Sequence, residues 1–483
     1  MARTTSLTSI LIVGGGPDGW LTALALRAAL AARPDIRIAV LKDEGPTCVP
    51  ALSASPNLRR LHARIGLDDL EILISCGASA RLGRAFTGFV ADAESFILPH
   101  GEVGARWGAI QFHHQLAALG SGLADYAAYS LAGAAIELGR FAPPSRDPRQ
   151  FLSTLDFGFH LDCAAYVRRL RDTALARGVE SRTGRVAEIK IEKGRIAALV
   201  DDGGVRHEAD LYIDATGPDA RLATSLGMEK EDWGGDTPFR LEQTRTEPAA
   251  ALLPPATGIA ATPTGWSMQI PLPDRTITRQ FSNVDTTDCD DTSWTRLELG
   301  RHLKPWTGNC LAIGAAACQP DPISDAEFAL LARTLERLPG LLPSDDAMLA
   351  EAGSHNKKFA QECAAARDLA RLIGSCQTRP EPAWVAARSA PQSDELRHAR
   401  ALFEARGRVA DREHDLFGDT TWVAAWLGLG IRPRQHDPLA DTIDAAALTA
   451  RINQVRQMAD QTARSLPDHR SALKRLQAGA RPA

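Results

Sequence analysis

Glycine spacing near the N-terminus carries the first chemical signal. An apolar run from Ile10 to Val13 leads into Gly14-Gly15-Gly16-Pro17-Asp18-Gly19-Trp20 and then into a Leu/Ala stretch of helical character. A strand, tight turn and helix in that order can hold the phosphates of a dinucleotide. Gly14 makes the turn, Gly16 lets the backbone approach a pyrophosphate, and Gly19 lets the helix sit close to the strand, so helix N–H groups meet the phosphates. G-x-G-x-x-G alone is a weak signal; the strand before it and a second strand, Ile36 to Leu41, supply the context of a βαβ unit. That second strand ends at Lys42, where such units usually present an acidic residue to the ribose. An ammonium accepts no hydrogen bond, which leaves Asp43 and Glu44 as substitute acceptors or as solvated loop charges.

Two later segments have a similar character. Asp210 to Asp214 reads as a strand that runs into Ala215-Thr216-Gly217, a second place for backbone to lie against a dinucleotide, and Leu311 to Gly314 is a short apolar strand opening into a Gly/Ala loop. Other chemistries find little support. The eight cysteines form no C-x-x-C pair and the twelve histidines show no ligand spacing, so neither a metal site nor a disulfide frame is expected.

The elements that would position these residues come from a chain of 483 residues, 44% apolar, with a net charge of −4. That is enough for a sizeable core, and it carries no basic block for nucleic acid or a membrane surface. No apolar run approaches the roughly 20 residues of a membrane helix. The N-terminus has no signal-peptide pattern, and a cytoplasmic location is expected. The fold class is α/β: a Rossmann-like dinucleotide module with an inserted mixed sheet over residues 1–345, and a helical module over 346–483 packed on it. Within it, Leu58–Ile74, Arg106–Leu131 and His160–Arg177 read as helical, the last capped by Gly178, and Arg81–Phe96 reads as strands. Val186–Ile191, Ile196–Val200 and Gly265–Phe281 have strand patterns, with Asp201-Asp202-Gly203-Gly204 as a hairpin turn. Lys358–Ile373, Ser393–Glu404 and Asp444–Ala463 read as helices.

The order of parts resembles the flavin-dependent tryptophan halogenases over nearly the whole chain. The resemblance rests on Gly14 to Trp20, Phe157-Gly158-Phe159-His160-Leu161-Asp162, Asp210 to Gly217, Gly265-Trp266-Ser267-Met268-Gln269-Ile270-Pro271 (compare the family's G-W-x-W-x-I-P), Asp437 to Asp441, and Leu466-Pro467-Asp468-His469. It implies FAD as cofactor, held by Gly14, Gly16, Gly19, Lys42, Ala215, Gly217 and Gly314, with a separate flavin reductase and a small aromatic substrate as partners. A homodimer or a paired paralogue is also expected. In that family an oxidant formed from halide reaches a lysine beside the substrate, and a glutamate assists.

Here Arg81, after Gly77-Ala78-Ser79-Ala80, stands at the lysine position, and Ser324, in Pro322-Ile323-Ser324-Asp325, stands at the glutamate position. Arginine stays protonated and is no nucleophilic amine, and serine is no base at neutral pH. Asp325 and Glu327 are candidate displaced carboxylates. Pro46 replaces the glutamate of the family's Gly-Glu loop, Ala315 the aspartate of a Gly-Asp-Ala run, and Met268 a tryptophan. Three functions are therefore open: a divergent FAD-dependent oxidoreductase or monooxygenase acting on an aromatic small molecule, a catalytically silent homologue serving as a partner protein, and a halogenase with displaced catalytic residues. Trp384, Trp422 and Trp426 are expected in the core rather than in a pocket.

Overall fold

The computed structural model describes residues 7–43, 49–90, 93–285, 293–342 and 348–479. Pro46 and its neighbours Gly45, Thr47 and Cys48 lie outside them, as does Glu44. A six-stranded sheet runs in the order Trp306–Thr307, Cys310–Ala312, Leu211–Asp214, Ser9–Val13, Arg37–Lys42, Glu180–Thr183. The last five are parallel and only the first is antiparallel. Parallel strands need crossovers, and the helix Pro17–Ala29 supplies the first, its inner face buried from Gly19 to Leu26.

A seven-stranded mixed sheet forms the second layer, in the order Thr295–Arg296, Leu241–Pro248, Arg275–Ser282, Gly265–Pro271, Thr257–Thr262, Gly83–Val90, Ala93–Pro99. Three short strands join the layers: Ala51–Ala54, Gly158–Asp162 and Ser79–Arg81. Helices dominate the C-terminal part, with Leu349–Cys376 the longest, followed by Asp394–Arg406, Asp419–Gly428 and Ala445–Ser465. Asp419–Gly428 lies on the strand Ala93–Pro99 and Ala445–Ser465 on the helix Leu131–Leu138, so these helices close over the second sheet.

Three expectations shift. His160 to Asp162 belong to a strand, and the helix begins at Cys163 because the Asp162 carboxylate accepts the Ala165 N–H at 2.7 Å and caps it. Gly178, with φ 82°, ends it as expected. Leu58–Ile74 divides into Asn57–Ile65 and Asp69–Ser75 at Gly66, φ 68°. Arg106–Leu131 holds only the short helix Phe112–Ala118 and a single turn at Tyr126–Tyr129, because Gly108, Gly120 and Gly122 take left-handed conformations that interrupt it.

Trp384, Trp422 and Trp426 are buried in the core, and Trp266 stacks on Phe281 at 4.0 Å. Met268 and Cys318 are buried core residues as well. Neither a disulfide nor a cluster able to hold a metal occurs among the described residues. Among them, no helix is long and apolar enough to cross a membrane.

Candidate active site

The glycine residues expected to hold a cofactor converge at the C-terminal ends of three adjacent parallel strands, Ser9–Val13, Leu211–Asp214 and Cys310–Ala312. That edge is where open α/β sheets bind ligands. Gly14 takes φ 124°, and a Cβ placed on it would lie 2.1 Å from the Ala215 carbonyl oxygen, so no other residue fits the turn. Its N–H donates to the Leu41 carbonyl at 2.9 Å, and the Ala215 N–H donates to Val13 at 2.9 Å. Gly16 occupies the N-cap of the helix Pro17–Ala29 without a side-chain cap, leaving the helix N–H groups open. Asp214 fixes the second loop: its carboxylate accepts from Thr216 and from the Leu222 and Ala223 N–H groups at 2.8 and 2.9 Å. Gly217 in that loop has open space around its Cα.

This backbone cradle fits a dinucleotide, and two side chains bear on its affinity. Lys42 lays its stem over Gly15, where a Cβ would meet the lysine Cβ at 2.6 Å, and it offers no acceptor to a ribose. Asp18, whose importance sequence reading missed, points across the cradle. A Cβ on Gly314 would sit 1.8 Å from its Oδ2, and the Ala315 N–H donates to its carboxylate. Burial, together with nearby Glu327, pushes the Asp18 carboxyl up to about 6. A carboxylate therefore stands at the helix end that would receive phosphate, close to Ala315.

The second cluster lies on the strand Ser79–Arg81, and three separate segments hold that strand in place. Arg81 pairs opposite Gly158 of the Phe157–Asp162 segment. The Ser79 hydroxyl donates to the Pro271 carbonyl at 2.6 Å, at the end of the Gly265–Pro271 signature. The Ala80 N–H donates to His469 Nε2 at 3.1 Å, and His469 Nδ1 lies 3.2 Å from the Leu253 carbonyl. Burial takes His469 down to about 4, so the ring is neutral, with one nitrogen to accept and one to donate. His160 lies between Ser79 Oγ at 3.1 Å and Thr257 Oγ1 at 2.9 Å, and Ser53 Oγ reaches Thr257 at 2.8 Å. Burial, then the Arg81 charge, drives His160 well below its ordinary value, which also keeps it neutral.

So fixed, the fully buried Arg81 donates Nη2 to Asp325 Oδ2 at 2.6 Å. Asp325 takes a left-handed conformation, φ 62°, after the turn Pro322–Ser324, and this turns its carboxylate toward the arginine. Ser324 does not take that place; it is buried with its hydroxyl donating to the Asp321 carbonyl at 2.7 Å. Of the two candidate carboxylates, Asp325 meets Arg81, whereas Glu327 begins the next helix and lies near Asp18. Arg84, also unnoticed in the sequence, donates Nη1 to the Ile323 carbonyl at 2.5 Å and brings Nε to 4.0 Å from Asp325. Beside this group opens a cavity of about 220 Å³ lined by Asn57, Arg60, Arg84, His100, Asp325 and Phe417.

Comparison with known proteins places the whole chain in one family. A family model described as tryptophan halogenase matches residues 9–445. BrvH, a flavin-dependent halogenase from Brevundimonas sp. BAL3, is 28% identical with a TM-score of 0.89, covering 97% of this chain and 99% of that one. A flavin-dependent halogenase from Xanthomonas campestris gives 28% and 0.90, with 98% of each chain covered. Tryptophan 6-halogenase ThaL of Streptomyces albogriseolus is 22% identical over 97% of this chain and 98% of its own length. With a glycine cradle at one sheet edge, the ordered signature segments around Arg81, and a match that spans both, the chain belongs to the tryptophan halogenase family.

Proposed function

We propose that the chain is an FAD-dependent oxidoreductase of the monooxygenase type acting on a small aromatic molecule, and that lysine-assisted halogenation is not its reaction. The observation that supports this reading is the buried Arg81–Asp325 pair, with an arginine at the family's lysine position and the carboxylate one residue beyond its glutamate position, in a molecule that has the glycine cradle. FAD, reduced by a separate reductase, would supply oxygen activation. Gly14, Gly16 and Gly217 would let it lie against the backbone, and Ala215 and Gly314 would border it.

The protein's own groups do the rest. The Arg81 guanidinium donates hydrogen bonds to an oxygen-centred group and is no nucleophilic amine. Asp325 holds its orientation, and the neutral His160 and His469 keep the strand in place without adding charge. Burial of the pair keeps bulk water away from that end.

A second reading, halogenation with a displaced carboxylate, is favoured by the 2.6 Å contact itself, which brings a carboxylate to the lysine position one residue after Ser324. The deciding experiment supplies the purified protein with FAD, a flavin reductase, NADH and an indole panel, with and without bromide. Oxygenated products independent of bromide support the first reading. Brominated products that require bromide overturn it in favour of the second.

A further inference from the structure

A dinucleotide laid over the cradle has a direction. With its diphosphate at the Gly16 helix end, its adenosine half lies toward the strand Arg37–Lys42, which leaves the strands Leu211–Asp214 and Cys310–Ala312 for the flavin half. The last of these strands opens into the turn Gly314–Ala316, and the helix Glu327–Arg337 packs both on that turn and on the helix Pro17–Ala29. Its first residue, Glu327, thus stands on the flavin side, between Asp18 of the cradle and Asp325 of the arginine end.

Glu327 is exposed between two buried neighbours, Ala326 and Phe328, yet its carboxyl is held above the ordinary value, by desolvation first, with Arg279 opposing and Glu242 and Asp325 adding. Exposure together with desolvation marks a side chain that looks into a cleft rather than into bulk water. Its surroundings leave its charge uncompensated. Arg279 donates to both oxygens of Glu242, at 2.6 and 3.1 Å, and Asp325 is engaged by Arg81. Among the described residues no ion pair is made by Glu327 itself. We propose that Glu327 tunes the charge of the bound flavin: its carboxylate opposes the anionic, reduced ring and leaves the uncharged, oxidised ring unaffected. Reduced flavin is an anion at neutral pH, so a fixed negative charge in a cleft of low dielectric discriminates between the two forms. Asp18 does not discriminate, because the diphosphate it faces is the same in both. The inference rests on the reading of FAD as cofactor and names a residue that tunes it.

Dissociation constants of oxidised FAD and of FAD reduced under anaerobic conditions, taken at roughly pH 8 for wild type, Glu327→Gln, Glu327→Asp and Asp18→Asn, test this. In Glu327→Gln the reduced form should gain at least about tenfold over the oxidised one, while Glu327→Asp, which keeps the charge, stays near the wild-type ratio. Asp18→Asn should tighten both forms by the same factor and leave the ratio where it was. An unchanged ratio in Glu327→Gln, with both forms still bound, overturns the inference and leaves the flavoenzyme reading standing. So does a gain shared equally by the two forms, which would put Glu327 at the diphosphate. Binding of neither form by any of the four proteins overturns both.

Discussion

The cradle and the arginine end are built by different means. The cradle is made of backbone: Gly14 against Ala215, the Asp214 carboxylate on four donors, open space at Gly217. Backbone geometry tolerates no replacement of Gly14, and the residue is kept. The arginine end is made of side chains on a strand that its neighbours hold through the Ser79 hydroxyl and the Ala80 N–H. Arg81, the third residue of that strand, is free of this holding role, and its side chain meets Asp325. Position and chemistry are thus set by separate residues, and chemistry is free to change.

The largest effect should come from Asp325→Asn, which keeps a residue tolerant of the left-handed conformation but leaves two buried guanidinium groups without an anion. A loss of about 3–5 kcal/mol in denaturant-measured stability is expected. A much smaller loss for the double substitution Arg81→Met, Asp325→Leu than for Asp325→Asn would show that the single-variant cost is charge rather than packing. Gly14→Ala tests the other region. Its Cβ would have to displace the Ala215 carbonyl, and a destabilisation of about 3 kcal/mol, with loss of FAD binding, is the expected outcome of denaturation and fluorescence titration. His469→Phe removes the acceptor of the Ala80 N–H and should cost about 1–3 kcal/mol, while leaving FAD affinity unchanged.

Asp18 is where the comparison is sharpest, because a side chain intrudes on the backbone-made region. Its folded value of about 6 lies above the unfolded 3.8, so the folded state binds the proton more tightly. Stability associated with this group is fully present below about 4 and is lost as pH rises toward about 6. Asp18→Asn should remove that dependence and raise denaturant-measured stability relative to wild type at roughly pH 7.5, by up to about 3 kcal/mol, with no gain at pH 4. The charges facing it are Glu327 of the following helix and, through Glu327, Arg279 with its partner Glu242. Glu327→Gln should therefore lower the Asp18 value and reduce the effect of Asp18→Asn.

Much of the cradle was legible because its signals are local. A glycine triplet after an apolar strand leaves few conformations, and Asp214-Ala215-Thr216-Gly217 announces its own turn. Arg81 was legible through the residues around it. Asp325 was legible only as an alternative, since its contact with Arg81 depends on a left-handed φ that no propensity assigns to aspartate there. Asp18 lies in a first helical turn, where acidic residues are common, and its contact with Gly314 and Ala315 is tertiary and left no pattern in the sequence. Arg84 alternates with Gly83 and Ala85 in a strand, and nothing in that pattern shows that it lines a cavity.

Titration of the purified protein with FAD, followed by flavin fluorescence at roughly pH 5 and pH 7.5 on wild type and Asp18→Asn, tests the central claim most directly. A retained cradle opposed by one carboxylate predicts saturable binding that is weaker at the higher pH in the wild type and strong at both in Asp18→Asn. Absence of binding by either protein at either pH would contradict it, because the glycine-built edge would then no longer be a cofactor site.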